Sequence, residues 1–451
     1  MCSATVSAAA ATPGALPPGP RFSLASRIGY LRDPVTLFSR LKAEYGDPFT
    51  VTTSAKTVFT ADPAGVKQIF TAPTEYFLPL QVEAQKRVLG EAFTGHSGAE
   101  HRRQRALMAP GLRADALQRL AGQMVEAARL RTETWTPGQT LDLVEEGMAL
   151  ALEIIIRALF SVHDREGIER RKRAVRAFSG QLNNKMFLAT SMMGLLHPAI
   201  PSQGKFVRVR QELQDLLLET IADIRAAPDA HDGLLAHMVM ARREDGSAAF
   251  HDIEMADNLI TMLIAGHETT ALSFGWAIQA VLSRAEVHER LMAELADIDV
   301  FADPNAVHTL PYLNAVVKEV LRFWTPVPDV LRLVAKPFDL MGWTIPVGVQ
   351  VCACVWLTHF DPALYPDPWT FNPDRFLDRR YTAFEYYPFG GGERVCVGNT
   401  FSPMELKVLL ATILKTCRIE LQDPAFPQLV RTGFLLGPKT PLRATYRGLA
   451  R

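Results

Sequence analysis

The longest uninterrupted helical pattern in the chain constrains the fold most strongly. Residues Asp252–Leu282 contain no proline and are mostly apolar, and at 1.5 Å per residue they predict one helix about 45 Å long. A membrane span is the competing interpretation of so apolar a segment. His267 and Glu268 fall near its middle, however, where ionisable groups are costly in lipid. The pattern therefore favours a long helix buried inside a protein, and we expect no membrane span.

Amphipathic patterns before and after this segment predict further helices. Residues 330–355 are rich in strand formers, and a β-like tail ends the chain. Residues 1–19 are rich in small residues, and we predict a disordered leader there. No internal repeat or linker divides the rest of the sequence, so we predict a single domain over residues 20–451. The predicted fold class is mainly α with a smaller β-rich part. Its further helices are expected at Ala114–Trp135, Leu141–Phe160, Ile168–Phe187, Lys205–Arg225, Leu313–Phe323 and Gly398–Cys417.

The composition limits the classes of partner and compartment. Lys plus Arg and Asp plus Glu are equal at 48 each, so the net charge provides no attraction to nucleic acid or to an anionic membrane. The five cysteines are irregularly spaced and form no CxxC pair, which argues against a zinc ribbon or an iron–sulfur module. So few cysteines favour a reducing compartment. We expect a monomeric cytoplasmic protein that binds no nucleic acid.

The segment PFGGGERVCVG, at 388–398, places Cys396 among four glycines. Backbone N–H groups at the start of the predicted helix can hydrogen-bond a thiolate and lower its pKa. Glycines allow close backbone approach to a flat partner. For the loop considered alone, a buried structural cysteine remains the simpler interpretation. A nucleophilic cysteine would need a neighbouring base, which the sequence does not place.

Two further motifs put charged groups into helices. In AGHETTA, at 265–271, Glu268 and Thr269 are costly inside an apolar helix unless they have partners or a role. Threonine hydroxyls can bond back to earlier carbonyls and open the helix locally, although a satisfied polar patch is the alternative. In KEVLR, Glu319 and Arg322 share a helix face at i and i+3. Taken alone, that pair predicts a solvent-exposed ion pair.

Together and in this order, these motifs resemble those of the cytochrome P450 family of haem-thiolate monooxygenases, in its soluble bacterial type. FGGGERVCVG matches FxxGxRxCxG at every fixed position, AGHETT matches [AG]Gx[DE]T[TS], and EVLR matches ExxR. FNPDRF supplies Arg375, which completes a Glu-Arg-Arg core in the family. HRRQR resembles the family's WxxxR segment, with His101 in place of tryptophan. The resemblance runs from about Pro20 to the C-terminus and implies a triangular prism with a long central helix over the haem.

The resemblance implies haem b as cofactor, with its iron bound by the Cys396 thiolate. Phe389 is then expected to shield the sulfur, while Gly398 and the neighbouring glycines let the loop lie against the porphyrin. Basic residues are expected to pair with the haem propionates, although an exposed strand arginine is the alternative for Arg332. The remaining cofactor-binding residues implied in this way are Arg394, His101, Arg105, Arg332 and Ala265.

The activity implied by the resemblance is hydroxylation or epoxidation that uses O2 and two electrons. Thr269 is expected to hydrogen-bond dioxygen or a water, and Glu268 to relay protons. A peroxide-using or isomerising haem-thiolate enzyme is one alternative, but such members usually lack the acid–threonine pair. A non-catalytic haem-binding sensor is the other alternative, but nothing in the sequence resembles an appended DNA-binding or signalling module. The implied electron source is a separate ferredoxin with its reductase, or a flavodoxin, with Lys407 near the docking surface.

The segments that line the family's pocket fall here on apolar residues, which implies a hydrophobic substrate such as a fatty acid, terpenoid or polyketide. The Met-rich stretch NKMFLATSMMGLL, at 184–196, predicts an adaptable lid or ordinary helix packing. Asp329 beside this wall either recognises a polar group or holds a propionate. The predicted pocket residues are Phe93, Phe187, Ile264, Ala265, Val327, Val330, Phe434 and Leu435.

Overall fold

The computed structural model describes residues 15–20, 29, 33–52, 55–79, 82–108, 114–160, 164–231, 233–243, 245–432 and 435–450. Helices dominate these residues, as predicted. In chain order the α-helices are α1 Pro34–Tyr45, α2 Pro63–Thr71, α3 Val82–Leu89, α4 Gly98–Met108, α5 Ala114–Thr132, α6 Leu143–Phe160, α7 Arg165–Leu182, α8 Lys185–Met192, α9 Pro201–Ala226, α10 Leu234–Met240, α11 Asp252–Leu282, α12 Ala285–Leu295, α13 Pro311–Phe323, α14 Val355–His359, α15 Arg375–Asp378 and α16 Phe401–Thr416.

The strands of the described residues form one larger sheet and three small ones. They are β1 Phe49–Thr52, β2 Lys56–Thr60, β3 Phe77–Leu78, β4 Thr140–Asp142, β5 Asp329–Val334, β6 Phe338–Leu340, β7 Trp343–Ile345, β8 Gln350–Cys354, β9 Cys417–Leu421, β10 Leu429–Thr432, β11 Leu435–Pro438 and β12 Arg443–Leu449. The larger sheet has the order β1-β2-β8-β5-β3, in which β2 and β8 run parallel and Thr57 lies opposite Gln350. One small sheet has the order β4-β12-β9, another pairs β6 with β7, and the third pairs β10 with β11.

Helix α11 spans the residues predicted for the long helix and lies inside the protein. Its side chains contribute to the largest hydrophobic core. Helix α6 packs closely along it because glycines occupy the contact. A Cβ on Gly147 would lie 2.8 Å from the carbonyl oxygen of Ala271, and a Cβ on Gly275 would lie 2.9 Å from a methyl group of Val144. Neither position has room for a side chain, so these glycines set the spacing of the two helices.

Several predicted helix boundaries differ from the structure, and two of them bear on predicted site residues. The helix predicted over 168–187 ends at Leu182, since Asn184 caps a new helix by accepting the backbone N–H of Phe187 at 3.0 Å. Phe187 therefore belongs to α8. The last long helix begins at Phe401, three residues later than predicted, which leaves Gly398 in the preceding turn.

The Glu319–Arg322 pair is buried, so the exposed pair that the motif predicts when taken alone is wrong. Both side chains have no solvent exposure, and Arg322 donates two hydrogen bonds of 2.7 and 2.8 Å to the Glu319 carboxylate. Arg375 donates a third at 3.0 Å, and Arg322 also donates to the carbonyl oxygen of His359. A buried charge needs such complete pairing. This triad joins α13 to the segment that leads toward Cys396.

The described part of the predicted leader runs beside strand β1. Pro17 is buried, and its carbonyl oxygen accepts the Thr50 hydroxyl at 2.6 Å. The Pro18 carbonyl oxygen accepts the Thr50 backbone N–H at 2.9 Å. Residues 1–14 of that leader lie outside the described residues. Among the helices that the structure describes, none is both long and apolar enough to cross a membrane.

Candidate functional site

Cys396 lies in a turn between a short 3-10 helix, Gly392–Arg394, and α16. Its backbone N–H donates to the carbonyl oxygen of Phe389 at 2.9 Å. The residue is exposed, whereas Cys352, Cys354 and Cys417 are buried. The protein packed around the sulfur raises the pKa of the Cys396 thiol, against smaller lowering contributions from the Gly398 backbone N–H and the Arg105 charge. The net shift is thus upward, although the backbone N–H of Gly398 does lower the pKa of the thiol in the way that the sequence indicated. Such a thiol is a poor nucleophile, but a metal ion that binds the sulfur stabilises the thiolate, and the proton is then released to solvent.

Two of the three glycines before Cys396 are explained by a contact that the sequence did not indicate. A Cβ on Gly391 would lie 2.1 Å from the Phe70 ring, and a Cβ on Gly392 would lie 2.2 Å from the Phe70 carbonyl oxygen. Gly392 also has φ +69°, which favours glycine. Helix α2 therefore presses against the loop. At Gly398, by contrast, a Cβ would meet only the Cys396 sulfur, at 3.8 Å.

Two predicted propionate-binding arginines lie beside this loop and bond to backbone. Arg332, on β5, is half-buried and donates to the carbonyl oxygen of Gly391 at 3.4 Å. Burial lowers the pKa of Arg332 to about 10, and repulsion from Arg394 acts in the same direction. Arg394 donates to the carbonyl oxygens of Thr94 and His96. Burial lowers the pKa of Arg394 too. Both groups remain cations near neutral pH.

His101 and Arg105, on α4, reach the same region. His101 is buried, and its Nδ1 atom has no hydrogen-bond partner among the described residues. Burial lowers the pKa of His101 to about 4, with repulsion from Arg394 and Arg105. The imidazole is therefore neutral at physiological pH. Glu393, which the sequence analysis did not single out, lies 3.7 Å from His101 and binds Arg102 at 3.4 Å.

Glu393 attracts two arginines of this cluster, Arg105 and Arg394, without forming an ion pair with either of them. In the part of the chain that the structure describes, Arg105, Arg332 and Arg394 form no ion pair with a carboxylate. Repulsion among neighbouring cations of low exposure is costly unless an anion joins them. A ligand with more than one negative charge would fit here, and the unpartnered nitrogen of His101 offers it one more hydrogen-bonding group.

The polar residues of α11 lie on adjacent faces of an unbroken helix. The Thr269 hydroxyl donates to the Ala265 carbonyl oxygen at 2.8 Å, so the threonine bonds back as expected without ending the helix. Ala265 is exposed although it lies in the middle of this buried helix. Glu268 is half-buried, and the amide of Asn183 lies 3.5 Å from its carboxylate. Burial raises the pKa of Glu268, so it holds a proton more firmly than an exposed glutamate.

The predicted pocket residues differ in their surroundings. Phe93 is buried and lies 5.9 Å from the His101 ring, while Phe187 is stacked on Phe206 at 4.6 Å within the helical core. Val327 is 38% exposed, and the neighbouring Pro326 accepts a hydrogen bond from the backbone of β11. Phe434 lies outside the described residues. The remaining members are half-buried: Ile264, Val330 and Leu435.

Asp329 has a partner that neither of its predicted roles included. Its carboxylate accepts a hydrogen bond from Arg431 of β10 at 2.5 Å, and both side chains are almost fully buried. The pair ties the start of β5 to the β10–β11 hairpin. The structure therefore assigns Asp329 an ion pair between two segments of the predicted pocket wall.

The donor set around Cys396 is that of a single axial ligand. Among the described residues, no group of three or more His, Cys, Asp or Glu side chains is arranged to hold a metal ion. A metal bound at Cys396 would therefore need most of its ligands from a cofactor. An iron porphyrin supplies four nitrogen ligands and carries anionic propionates, so it fits both the lone thiol and the arginine cluster.

Comparison with known proteins agrees with this geometry. The cytochrome P450 family model matches residues 13–442. A Mycobacterium bovis protein described as cytochrome P450 135B1 is 33% identical over 416 residues, covering 90% of this chain and 85% of its own. A Streptomyces melanosporofaciens protein named cyclooctat-9-en-7-ol 5-monooxygenase is 26% identical, with coverage of 90% and 88%.

Solved structures show the same fold. Retinoic acid-bound cyanobacterial CYP120A1 has a TM-score of 0.81 at 22% identity and covers 96% of this chain and 100% of its own. The haem domain of cytochrome P450DA has the same TM-score and identity, with coverage of 96% and 98%. The chain belongs to the cytochrome P450 family. Family and fold together support a haem monooxygenase activity.

Proposed function

We propose that this protein is a haem-thiolate monooxygenase that oxidises a hydrophobic small molecule, with Cys396 as the axial ligand. The observation that carries the proposal is the position of Cys396, an exposed residue, near three arginines that form no ion pair with a carboxylate among the described residues. When bound, the haem supplies the oxygen-activating chemistry, and the protein supplies binding, orientation and protons. Arg105, Arg332 and Arg394 hold the propionates, and neutral His101 contributes a hydrogen bond.

The ligand assignment is tested by the absorbance of the reduced carbon monoxide complex. Wild-type protein is expected to show the red-shifted Soret band of a thiolate ligand, and Cys396→His to lose it while still binding haem. Cys417→Ser is the matched control, because Cys417 is buried at the start of β9. A Cys396→His protein that keeps the thiolate spectrum would overturn the assignment.

Thr269 and Glu268 are proposed to deliver protons. The raised pKa of Glu268 suits a carboxyl group that takes up and passes on protons. Thr269 lies one helical turn after exposed Ala265 and can exchange its hydrogen bond to that carbonyl oxygen for one to a ligand. The presence of the acid–threonine pair supports the monooxygenase over a peroxide-using or isomerising enzyme.

The substrate is proposed to be a fatty acid, terpenoid or polyketide. Support comes from the apolar character of the predicted pocket residues, such as Phe93, Ile264 and Leu435. The relative named for cyclooctat-9-en-7-ol is consistent with an apolar substrate. A panel of such molecules, titrated against the ferric protein, is expected to contain members that shift the iron spin state. A response confined to small polar molecules would contradict this proposal.

Electrons are proposed to arrive from a separate ferredoxin or flavodoxin. Lys407 lies on α16, the helix that follows the Cys396 turn, close enough to Lys318 for mutual repulsion to help lower its pKa, although burial is the larger cause. These two lysines suit an acidic partner. Lys407→Glu is expected to slow reduction by ferredoxin at low salt and to have little effect at high salt. Equal rates for both proteins at low salt would remove Lys407 from the docking surface.

A further inference from the structure

The segment that leads to Phe93 is attached to two helices by buried polar side chains. Asp257, on α11, is 2% exposed. Its carboxylate accepts the backbone N–H of Glu91 at 2.9 Å, the Arg210 guanidinium at 2.7 Å and the Gln214 amide at 3.1 Å. Arg210 and Gln214 belong to α9. One carboxylate therefore joins α9, α11 and the segment between α3 and α4.

The next residue of α11 continues this attachment. Asn258 is fully buried, and its side-chain oxygen accepts the backbone N–H of Phe93 at 2.9 Å. Its amide group donates to Gln104 of α4 at 3.0 Å and to the carbonyl oxygen of Glu254 at 2.9 Å. The backbone of Phe93 is thus fixed by α11 itself, and its ring reaches His101 on the other side.

The segment fits the carboxylate closely because it contains a glycine. Gly90 has φ +63°, and a Cβ there would lie 2.0 Å from the Asp257 carboxylate. Arg210 also donates to the carbonyl oxygen of Val88 at 3.2 Å. Just before it, Arg87 donates to the carbonyl oxygen of Leu196, in the connection between α8 and α9, at 3.0 Å. Residues 87–93, which end at the predicted pocket residue Phe93, are therefore held at several points.

A charged network of this kind rigidifies the backbone that it binds. Arg210 and the backbone N–H of Glu91 stabilise the Asp257 carboxylate against the cost of its burial. Removal of the carboxylate would leave the buried N–H of Glu91 and the Arg210 guanidinium without their acceptor. The α3–α4 segment would then lose its attachment at Glu91, while Asn258 still held the backbone of Phe93 and the helices kept their apolar contacts.

We propose that Asp257 and Asn258 form a latch that holds residues 90–93 against α11, and that this latch limits the entry of large ligands. The inference rests on the proposed function in one respect, since it takes Phe93 as part of the wall of a substrate pocket. Asp257 then acts as a positioning residue. It sets the width of an entrance through the backbone of the α3–α4 segment and takes no part in the chemistry.

The exposed pair Asp252–Arg225 provides a matched control. It joins the same two helices, α11 and α9, through the same two residue types at 2.6 Å. Its side chains are 45% and 48% exposed, and it has no contact with residues 87–93 among those described. An effect seen at Asp257 and absent at Asp252 therefore reports on the α3–α4 segment rather than on helix pairing.

The first measurement is hydrogen exchange of a peptide that covers residues 86–96, in Asp257→Ala and Asp252→Ala. Loss of a charged hydrogen bond predicts exchange faster by about tenfold or more at Asp257→Ala only. If Asp257→Ala does not fold, Arg210→Gln loosens the latch while Asp257 keeps Gln214 and the Glu91 N–H. Unchanged exchange in the folded variants would overturn the latch. This measurement does not depend on haem.

The second measurement compares how fast imidazole and the larger 4-phenylimidazole bind to the haem protein, followed by stopped-flow absorbance. In Asp257→Ala or Arg210→Gln, association of 4-phenylimidazole is expected to rise severalfold, with little change for imidazole. Faster exchange with unchanged 4-phenylimidazole rates would refute the role in entry. Absence of any haem signal in wild-type protein would contradict the proposed function, and the exchange result would still decide whether the latch exists.

Discussion

The hydroxyl oxygens of Thr270 and Ser402 lie 3.2 Å apart and join helix α11 to the first turn of α16. Thr270 is 1% exposed. Thr269, its neighbour in sequence, is half-buried and donates its hydroxyl within its own helix, to the Ala265 carbonyl oxygen. Adjacent threonines of the same motif thus have different tasks. One connects α11 to the helix that follows Cys396, and the other is free to exchange its hydrogen bond.

This difference predicts separate effects of the two alanine variants. Thr269→Ala is expected to divert reducing equivalents to hydrogen peroxide, because the proposed proton delivery loses its hydroxyl. Thr270→Ala, the matched control, is expected to lower stability by about 1 kcal/mol and to leave the peroxide yield unchanged. The measurement is peroxide formed per NAD(P)H consumed in the reconstituted system. Equal peroxide yields in wild type and Thr269→Ala would remove Thr269 from proton delivery.

The contact of helix α2 with the cysteine loop predicts a rescue experiment. Gly391→Ala is expected to destabilise the protein by about 1–3 kcal/mol, because the new methyl group meets the Phe70 ring. Phe70→Ala should remove most of this additional cost, whereas it should not rescue Gly392→Ala, which meets the Phe70 backbone and has positive φ. Urea unfolding of the single and double variants measures the coupling. Additive effects of Gly391→Ala and Phe70→Ala would show that the contact with Phe70 is not the reason why a glycine is needed at position 391.

The buried triad predicts a large loss of stability for a small chemical change. Glu319→Gln leaves the guanidinium groups of Arg322 and Arg375 buried without a counter-charge, and it is expected to cost about 3–5 kcal/mol. Urea unfolding measures the change. Glu219→Gln is the control, since Glu219 pairs with Arg170 at the surface, where the loss should be much smaller. Similar losses for both variants would contradict the structural role of the triad.

His359 predicts how stability depends on pH. Burial lowers its pKa from 6.5 to about 3, and its Nε2 atom accepts the backbone N–H of Tyr387 at 3.1 Å. Because the unfolded chain binds a proton below pH 6.5 and the folded chain does not, stability from this group is complete above pH 6.5 and falls as the pH decreases. The expected loss is about 1 kcal/mol between pH 6.5 and 5.5.

The control for this prediction is His359→Gln, whose amide oxygen can accept the same backbone N–H without titrating. Urea midpoints measured across that pH range should fall less steeply for His359→Gln than for wild type. Parallel slopes would show that His359 does not contribute to the pH dependence.

Sequence patterns predicted the helices well because helix periodicity and caps are local. The long helix Asp252–Leu282 has the predicted bounds, and the family assignment from four ordered motifs is confirmed. The partners of the charged residues were harder to predict. Asp329 pairs with Arg431, which lies 102 residues later. Gly391 and Gly392 are packed against Phe70 of α2. Such contacts depend on tertiary packing, which a single sequence does not show.

The raised pKa of the Cys396 thiol shows the same limit. The sequence indicated the local effects of glycines and a helix start, and one of these, the Gly398 N–H, does lower the pKa. Burial by surrounding segments acts in the opposite direction and is larger. Burial is a property of the whole fold, so the sequence motif predicted the position of the ligand candidate and not its protonation in the protein alone.

The parallel pairing of β2 with β8 has a consequence for how the protein is made. Thr57 lies opposite Gln350, so β2 lacks this neighbour until the ribosome has added almost three hundred further residues. Until then one edge of the β1–β2 hairpin stays unpaired while the helical part of the chain emerges. Pairing over such a separation closes a long loop and is slow. We therefore expect the newly made chain to need protection of its first strands until translation is nearly complete.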